Sequence, residues 1–248
     1  MIPPILEYDD SKRSIIEPES KEKVPERMVL CFMNNVLKKF AQNKRWEIAA
    51  RLKNESEIWP VYRILVNNIE IGITHPGIGS PLAAAHFEEL IAMGAKKFIA
   101  CGSAGALIDD ISFDEFLVVE SAVRDEGTSF HYLPPSREVN CSKKMVDSLT
   151  NFLQQNMIKY RKVKSWTTDG FYRETEDRIL KRKKEGCSIV EMECSALFSV
   201  ANFRNVEVVA ILYTSDKISN GVWNNTLWNK NDIRERLLEV SINACSVI

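Results

Sequence analysis

Glu191-Met192-Glu193 stands directly after the short apolar stretch that ends at Val190. In an extended segment, residues two apart project to the same side, so both carboxylates can enter one site. Acids placed there can stabilise a developing positive charge or move a proton. The alternative is a solvated helix start, where glutamate also favours the macrodipole. A third acid, Asp216, closes Thr214-Ser215-Asp216 at the end of the strongly apolar stretch 206–213. It is either an N-cap for the following turn or an acid held in a site.

Two glycine segments, Gly77-Ile78-Gly79 and Gly102-Ser103-Ala104-Gly105, could bring backbone N–H groups close to a small ligand, or could be tight turns. Neither completes a dinucleotide fingerprint, since the third glycine of the first would fall on Leu82 and Gly102 with Gly105 misses the spacing. A dense polar cluster runs from Arg124 through Asp125, Glu126 and Gly127 to His131 and Tyr132. Arg124 and His131 are its candidate acceptor or substrate contacts, with structural roles as the alternative.

These groups need elements to hold them. Residues 1–27 contain Pro3, Pro4, Pro18, Pro25 and many charges, which predicts an irregular arm. Short apolar runs at 28–33, 98–101, 116–120 and 206–213 predict strands, the first of them buried on both faces, and 161–166 is expected to be one more. Residues 62–66 and 69–74 flank Asn67-Asn68, a hairpin signal. Helical stretches are expected at 36–40, from Leu82 to Met93, at 174–184, after Glu193, and at 233–242. The basic cluster 181–184 reads as a solvated helix face. Alternating strands and helices predict one α/β domain over 28–248, with a central mixed, mostly parallel β-sheet flanked by helices. Ligands then bind at the carboxyl ends of the strands, where the acids and the glycines stand.

Composition narrows the partners. The 248 residues carry 33 basic and 34 acidic side chains, a net charge of -1, so a nucleic-acid polymer is not expected as partner. No stretch approaches the ~20 apolar residues of a membrane span. Charges from Glu7 to Arg13 argue against a signal peptide, and six scattered cysteines without a C-x-x-C pair fit free thiols in a cytoplasmic protein. Only three histidines occur, none beside a cysteine, so no metal site is expected. Trp223 and Trp228 are expected to cover the terminal helix, or else to line a site.

In this order, Gly77-Ile78-Gly79, Cys101-Gly102-Ser103-Ala104-Gly105, Thr168-Asp169-Gly170-Phe171-Tyr172, Val190-Glu191-Met192-Glu193 and Ser215-Asp216-Lys217 resemble the nucleoside phosphorylase superfamily. The likeness is to its uridine phosphorylase, purine nucleoside phosphorylase and methylthioadenosine nucleosidase branch. It implies cleavage of a nucleoside at its N-glycosidic bond through an oxocarbenium-like transition state, without a cofactor. By position, Glu193 would hold the ribose hydroxyls, with Met192 against the sugar and Glu191 beside it. Phe171 would stack on the base, and Ile78 with Gly79 would touch the ribose. Asp216 would protonate a leaving purine, and Ser103, with Gly105 nearby, would bind phosphate. A homo-oligomer, whether dimer, trimer or hexamer, is implied as well.

The departures from that family leave the acceptor open between phosphate and water. The Gly-x-x-x-Arg turn of the phosphorylases is replaced by Phe32-Met33-Asn34-Asn35-Val36, and Ala100 stands where a second arginine belongs. An ungapped match puts Glu57 in place of a third. Asn35 occupies the place of the water-activating glutamate of the nucleosidases, and no Gln-x-Arg lies in residues 173–178. A purine nucleoside is the favoured substrate because of Asp216. The alternative is a non-catalytic nucleoside- or nucleobase-binding protein on the same fold.

Overall fold

The computed structural model describes residues 2–219, 222–225 and 231–248. Its hairpin follows from Asn67 and Asn68, which both take the left-handed backbone, with φ of 51° and 62°. Two such residues match the right-handed twist of the strands they join. β3 (Ile58–Val66) therefore turns back on β4 (Ile69–Thr74) as an antiparallel pair. Before it lie β1 (Arg27–Cys31), α1 (Asn34–Lys44) and β2 (Glu47–Lys53). α2 (Ser80–Ala92) and β5 (Lys97–Ala106) follow it. β6 (Phe116–Asp125), β7 (Glu138–Asn140), α3 (Lys143–Gln155) and β8 (Tyr160–Thr168) come next. α4 (Glu176–Lys184), β9 (Cys187–Glu191), α5 (Cys194–Arg204), β10 (Glu207–Ser219), β11 (Val222–Asn224) and α6 (Asn231–Cys245) complete the described chain.

The strands form one mixed sheet flanked by helices, and the molecule is a single α/β domain. Parallel pairs make its centre: β1 with β4 and β5, β10 with β5, and β8 with β6 and β9. The other pairs are antiparallel, so the predominance of parallel strands holds only for that centre. β5 pairs β10, β10 pairs β6, β6 pairs β8, β8 pairs β9, and β9 returns to β5. That circuit bends the sheet round on itself and brings the ends of five strands to one place.

Several expectations change. β1 stops at Cys31, because Met33 leaves the strand and precedes the first turn of α1. The segment Gly102–Gly105 is no loop; β5 runs through it to Ala106. β10 likewise continues past Thr214-Ser215-Asp216, with a bulge between Thr214 and Asp216, so Asp216 is not a helix N-cap. Such a bulge re-aims side chains, and here Ser215 and Asp216 both reach the same cavity. Arg124 and Asp125 belong to β6 rather than to a loop. In the basic cluster of α4, Arg182 is buried and paired with Asp125 and Glu185. β2, β7, β11 and α3 carry no expectation from the sequence.

The arm holds a short 3-10 turn, Pro4–Leu6, and is otherwise irregular up to Arg27, which opens β1. It lies on the end of α5: the Lys12 ammonium donates to Phe203 O at 3.1 Å and Arg204 donates to Lys12 O at 2.9 Å. The six cysteines are buried and unpaired. Among the described residues, no helix is long and apolar enough to cross a membrane.

Candidate active site

At the carboxyl ends of β5 and β10 the sheet opens into a cavity of about 1090 Å³. This is just above the range of ordinary small-molecule sites, ~300–1,000 Å³. Its position explains Ser103, which is exposed within a strand whose other residues are almost all buried. Gly105 gives the cavity depth: a Cβ there would stand 3.1 Å from Val190 Cγ1 and 3.4 Å from Asp216 Oδ2.

Two turns meet at Glu193. It precedes the first turn of α5, and its Oε1 accepts the Gly79 N–H at 2.6 Å. Gly79 can present that N–H because it holds φ at 86°, a backbone that side chains rarely adopt. The Ser80 hydroxyl donates to Met192 O at 2.6 Å and ties the same two turns together. Burial, aided by the charge of Glu191, pushes the Glu193 carboxyl up to about 8.

Glu191 has a different task. Its Oε1 accepts the hydroxyls of Ser165 and Thr167, at 2.8 and 2.5 Å, and its Oε2 accepts the N–H groups of Glu193 and Cys194, both at 2.7 Å. The carboxylate thus satisfies the start of α5, which is one of the two alternatives left by the sequence, although it is buried rather than solvated. Removing a buried acid with four partners strands its donors. Glu191→Ala should therefore lose about 3 kcal/mol. For a chain of this size that is a fall of roughly 6–12 °C in melting temperature. A shift under about 2 °C in a thermal melt would show that the network holds nothing in place.

Across the cavity, Asp216 is buried, with Oδ1 accepting the Ser215 hydroxyl at 2.6 Å and Oδ2 accepting the Trp223 indole N–H at 2.8 Å. Glu174, from the segment between β8 and α4, lines the same cavity. Burial, with the nearby charge of Asp216 adding to it, pushes its carboxyl up to about 7, while Arg178 acts the other way.

Ile78, Ser103, Gly105, Phe171, Glu191, Met192, Glu193 and Asp216 all line this one cavity, and Gly79 adjoins it through its bond to Glu193. Arg124 and His131 do not. Arg124 is buried and donates to the Ser129 and Ser136 hydroxyls and to the Pro134 and Leu133 carbonyls, which uses its guanidinium to close the loop after β6. His131 is exposed on the short turn Thr128–His131. Arg178 is held by Asp125, and Glu57 by Lys38.

Trp223 reaches the site instead of covering the terminal helix; Trp228 lies outside the described residues. Sequence reasoning also missed Tyr213, hidden in an apolar strand, and Glu174, Lys183 and Arg234, which read as ordinary polar positions of a loop and two helices. Among the described residues, no group of three or more His, Cys, Asp or Glu is placed to hold a metal ion.

Comparison with known proteins agrees with this fold. The chain is 28% identical over 151 residues to a DeoD-type purine nucleoside phosphorylase of Shewanella oneidensis, a stretch covering 60% of this chain and 64% of that relative. This chain therefore matches less than two thirds of that relative's length. A uridine phosphorylase of Vibrio fischeri ES114, solved in complex with 6-hydroxy-1-naphthoic acid, superposes with a TM-score of 0.75 at 29% identity, over 90% of this chain and 91% of that one. An AMP nucleosidase of Bacteroides thetaiotaomicron shares the fold, with a TM-score of 0.71 at 22% identity over 89% of this chain and 87% of that one. Residues 26–247, which hold every described strand and α-helix, match the family model of the phosphorylase superfamily, and the chain belongs to that family.

Proposed function

We propose that this protein cleaves the N-glycosidic bond of a nucleoside, with a purine base favoured. The observation that carries the reading is that Glu193 and Asp216, from separate elements, line one cavity deep enough to hold a nucleoside between them. Phe171 and Met192 add an aromatic face and an apolar contact on its wall.

In this reading the ionised Glu193 accepts the ribose 2′- and 3′-hydroxyls, and Met192 packs on the sugar. As the bond from C1′ to the base nitrogen lengthens, positive charge grows on C1′ and the ring oxygen. A carboxylate fixed beside the sugar stabilises that charge without having to reorganise. The bonding electron pair leaves with the base, which takes a proton from the Asp216 side of the cavity. Glu174, with its carboxyl up at about 7, keeps a proton next to Asp216 near neutral pH. An acceptor oxygen then bonds to C1′: water gives free ribose and a proton, and phosphate gives ribose 1-phosphate.

A second reading, a nucleoside-binding protein without turnover, draws on the apolar wall formed by Phe32, Met33 and Ala100. By the resemblance, Ala100 stands where the phosphorylases carry an arginine, and Phe32 where they carry the glycine of their Gly-x-x-x-Arg turn. One experiment separates the two. The protein is incubated with purine and pyrimidine nucleosides, with and without phosphate, and the sugar products are resolved by chromatography. Purine release is the expected result. Binding seen by calorimetry, with no product from any nucleoside, would select the second reading.

A further inference from the structure

β10 does not stop at Asp216. Beyond its bulge it runs on to Ser219 and pairs with β11, where Ile218 and Trp223 are direct cross-strand partners. Residues two apart on a strand share a face, so Ile218 follows Asp216 on the cavity side, roughly 7 Å farther along. Cross-strand partners share a face as well. Trp223 therefore joins the other two, with its indole N–H on Asp216 Oδ2 at 2.8 Å. Lys217, between Asp216 and Ile218, leaves by the opposite face and donates to Asp109 O at 3.1 Å. Asp216, Ile218 and Trp223 all line the cavity.

Ile179, from α4, closes this end. It lines the cavity and packs with Ile218 against the buried group that contains Val190. Val190 in turn meets Gly105 where Gly105 faces Asp216. Trp223 is exposed, while Ile179 and Ile218 are only partly buried. Apolar side chains left in reach of water around a concave site favour an apolar group of a ligand.

Purine chemistry says which group that is. N7 and the exocyclic nitrogen at C6 lie on one edge of the base, with C6 the farther from the sugar. A base that turns N7 to Asp216 sends its C6 substituent past that acid. Ser103 and Tyr213 precede Asp216 along the paired strands, and Ile218 follows it. The end beyond Asp216 is thus the one that a C6 substituent reaches.

Resting on the glycosidic-cleavage reading above, we propose that the cavity takes purine nucleosides carrying an apolar substituent on the exocyclic nitrogen at C6, seated among Ile179, Ile218 and Trp223. Glu174, close enough to Asp216 to feel its charge, then accepts the N–H that such a nitrogen keeps. The substituent fills space that a bare purine leaves open, in a cavity of about 1090 Å³.

Calorimetric titration with free bases tests the pocket without turnover. The probes are adenine, N6-methyladenine, N6-benzyladenine and N6-carboxymethyladenine, each with the parent protein, Ile179→Ala and Ile218→Ala. N6-benzyladenine should bind the parent at least about tenfold more tightly than adenine, with N6-methyladenine between them. In the two variants that ratio should fall to about threefold or less, because each removes part of the apolar wall. Reading a ratio keeps a general loss of structure from imitating the effect, and the parent series decides if a variant does not fold. Equal affinity of the parent for adenine and N6-benzyladenine overturns the proposal, as does an unchanged ratio in both variants or no binding of any base at millimolar concentration. Tightest binding of N6-carboxymethyladenine also overturns it, and would give this end of the cavity to Lys183, a cation that lines it too. Incubation with adenosine and N6-benzyladenosine separates this inference from the reading beneath it. Cleavage of adenosine with equal base affinities leaves the proposed function without the pocket. The expected base series with neither nucleoside cleaved leaves the pocket without the proposed function.

Discussion

Glu193→Gln should lower kcat/KM for a purine nucleoside by about 10²–10⁴-fold, because the amide keeps the shape of the side chain but cannot offset positive charge on the sugar. The pH profile makes the test specific. Burial holds the Glu193 carboxyl at about 8, so it is protonated over most of the neutral range and ionises as pH rises. Activity of the parent should therefore peak between about 7 and 8, where an ionised Glu193 coexists with a proton near Glu174 and Asp216, and fall on either side. The two limbs belong to the coupled set of acids rather than to single residues. In Glu193→Gln the climb should vanish and the fall remain. Stability moves the other way. A carboxyl raised from its ordinary 4.5 to about 8 contributes stability below pH 4.5 that is lost as pH rises through 8. The variant should thus melt no lower than the parent at pH 8.5. Unchanged kcat/KM would remove Glu193 from the chemistry, and a large drop in melting temperature would make its role structural.

What the sequence made legible was whatever hydrophobic periodicity or turn chemistry could express. Asn67-Asn68 announced the hairpin because two left-handed residues in a row have few other uses. The buried parts of β1, β5, β6 and β10 stood out as apolar runs. Their far ends did not. Where a strand opens into a cavity, its residues turn polar or small, as at Ser103, Gly105, Ser215 and Asp216, and mimic a strand terminus. These cavity-lining residues were thus singled out by type and assigned to the wrong local structure. β2 was invisible for a related reason: Glu47, Arg51 and Lys53 face outward along an edge strand, and only Ala50 and Leu52 are buried. Glu191 and Glu193 looked like a matched pair, but only the hydrogen bonds divide them. Four donors fix one as part of the helix start, and a single N–H leaves the other free to meet a ligand. Arg234 lacked any signal, since an arginine on an amphipathic helix is commonplace, while Trp223 offered a site only as the second of two uses.

Asp216→Asn should reduce kcat for a purine nucleoside by about 10²–10⁴-fold while KM changes only a few-fold, since a lost proton donor acts on the departing base rather than on the bound sugar. Asparagine also disturbs its surroundings: its NH₂ must face either the Ser215 hydroxyl or the Trp223 indole N–H, both of which now donate to the carboxylate. A loss of rate alone would therefore not separate chemistry from geometry. The leaving group does. A 4-nitrophenyl riboside expels an anion that needs no proton, so the same variant should cleave it within about tenfold of the parent. A misplaced sugar would slow both substrates alike. Glu174 supplies a second check, because the charge of Asp216 helps hold its carboxyl up at about 7. Without that charge Glu174 should ionise at lower pH, and the alkaline fall of the residual purine activity should move downward. Equal losses on the two substrates, with the alkaline fall unmoved, would assign Asp216 to the architecture of β10 and leave the proton to another group.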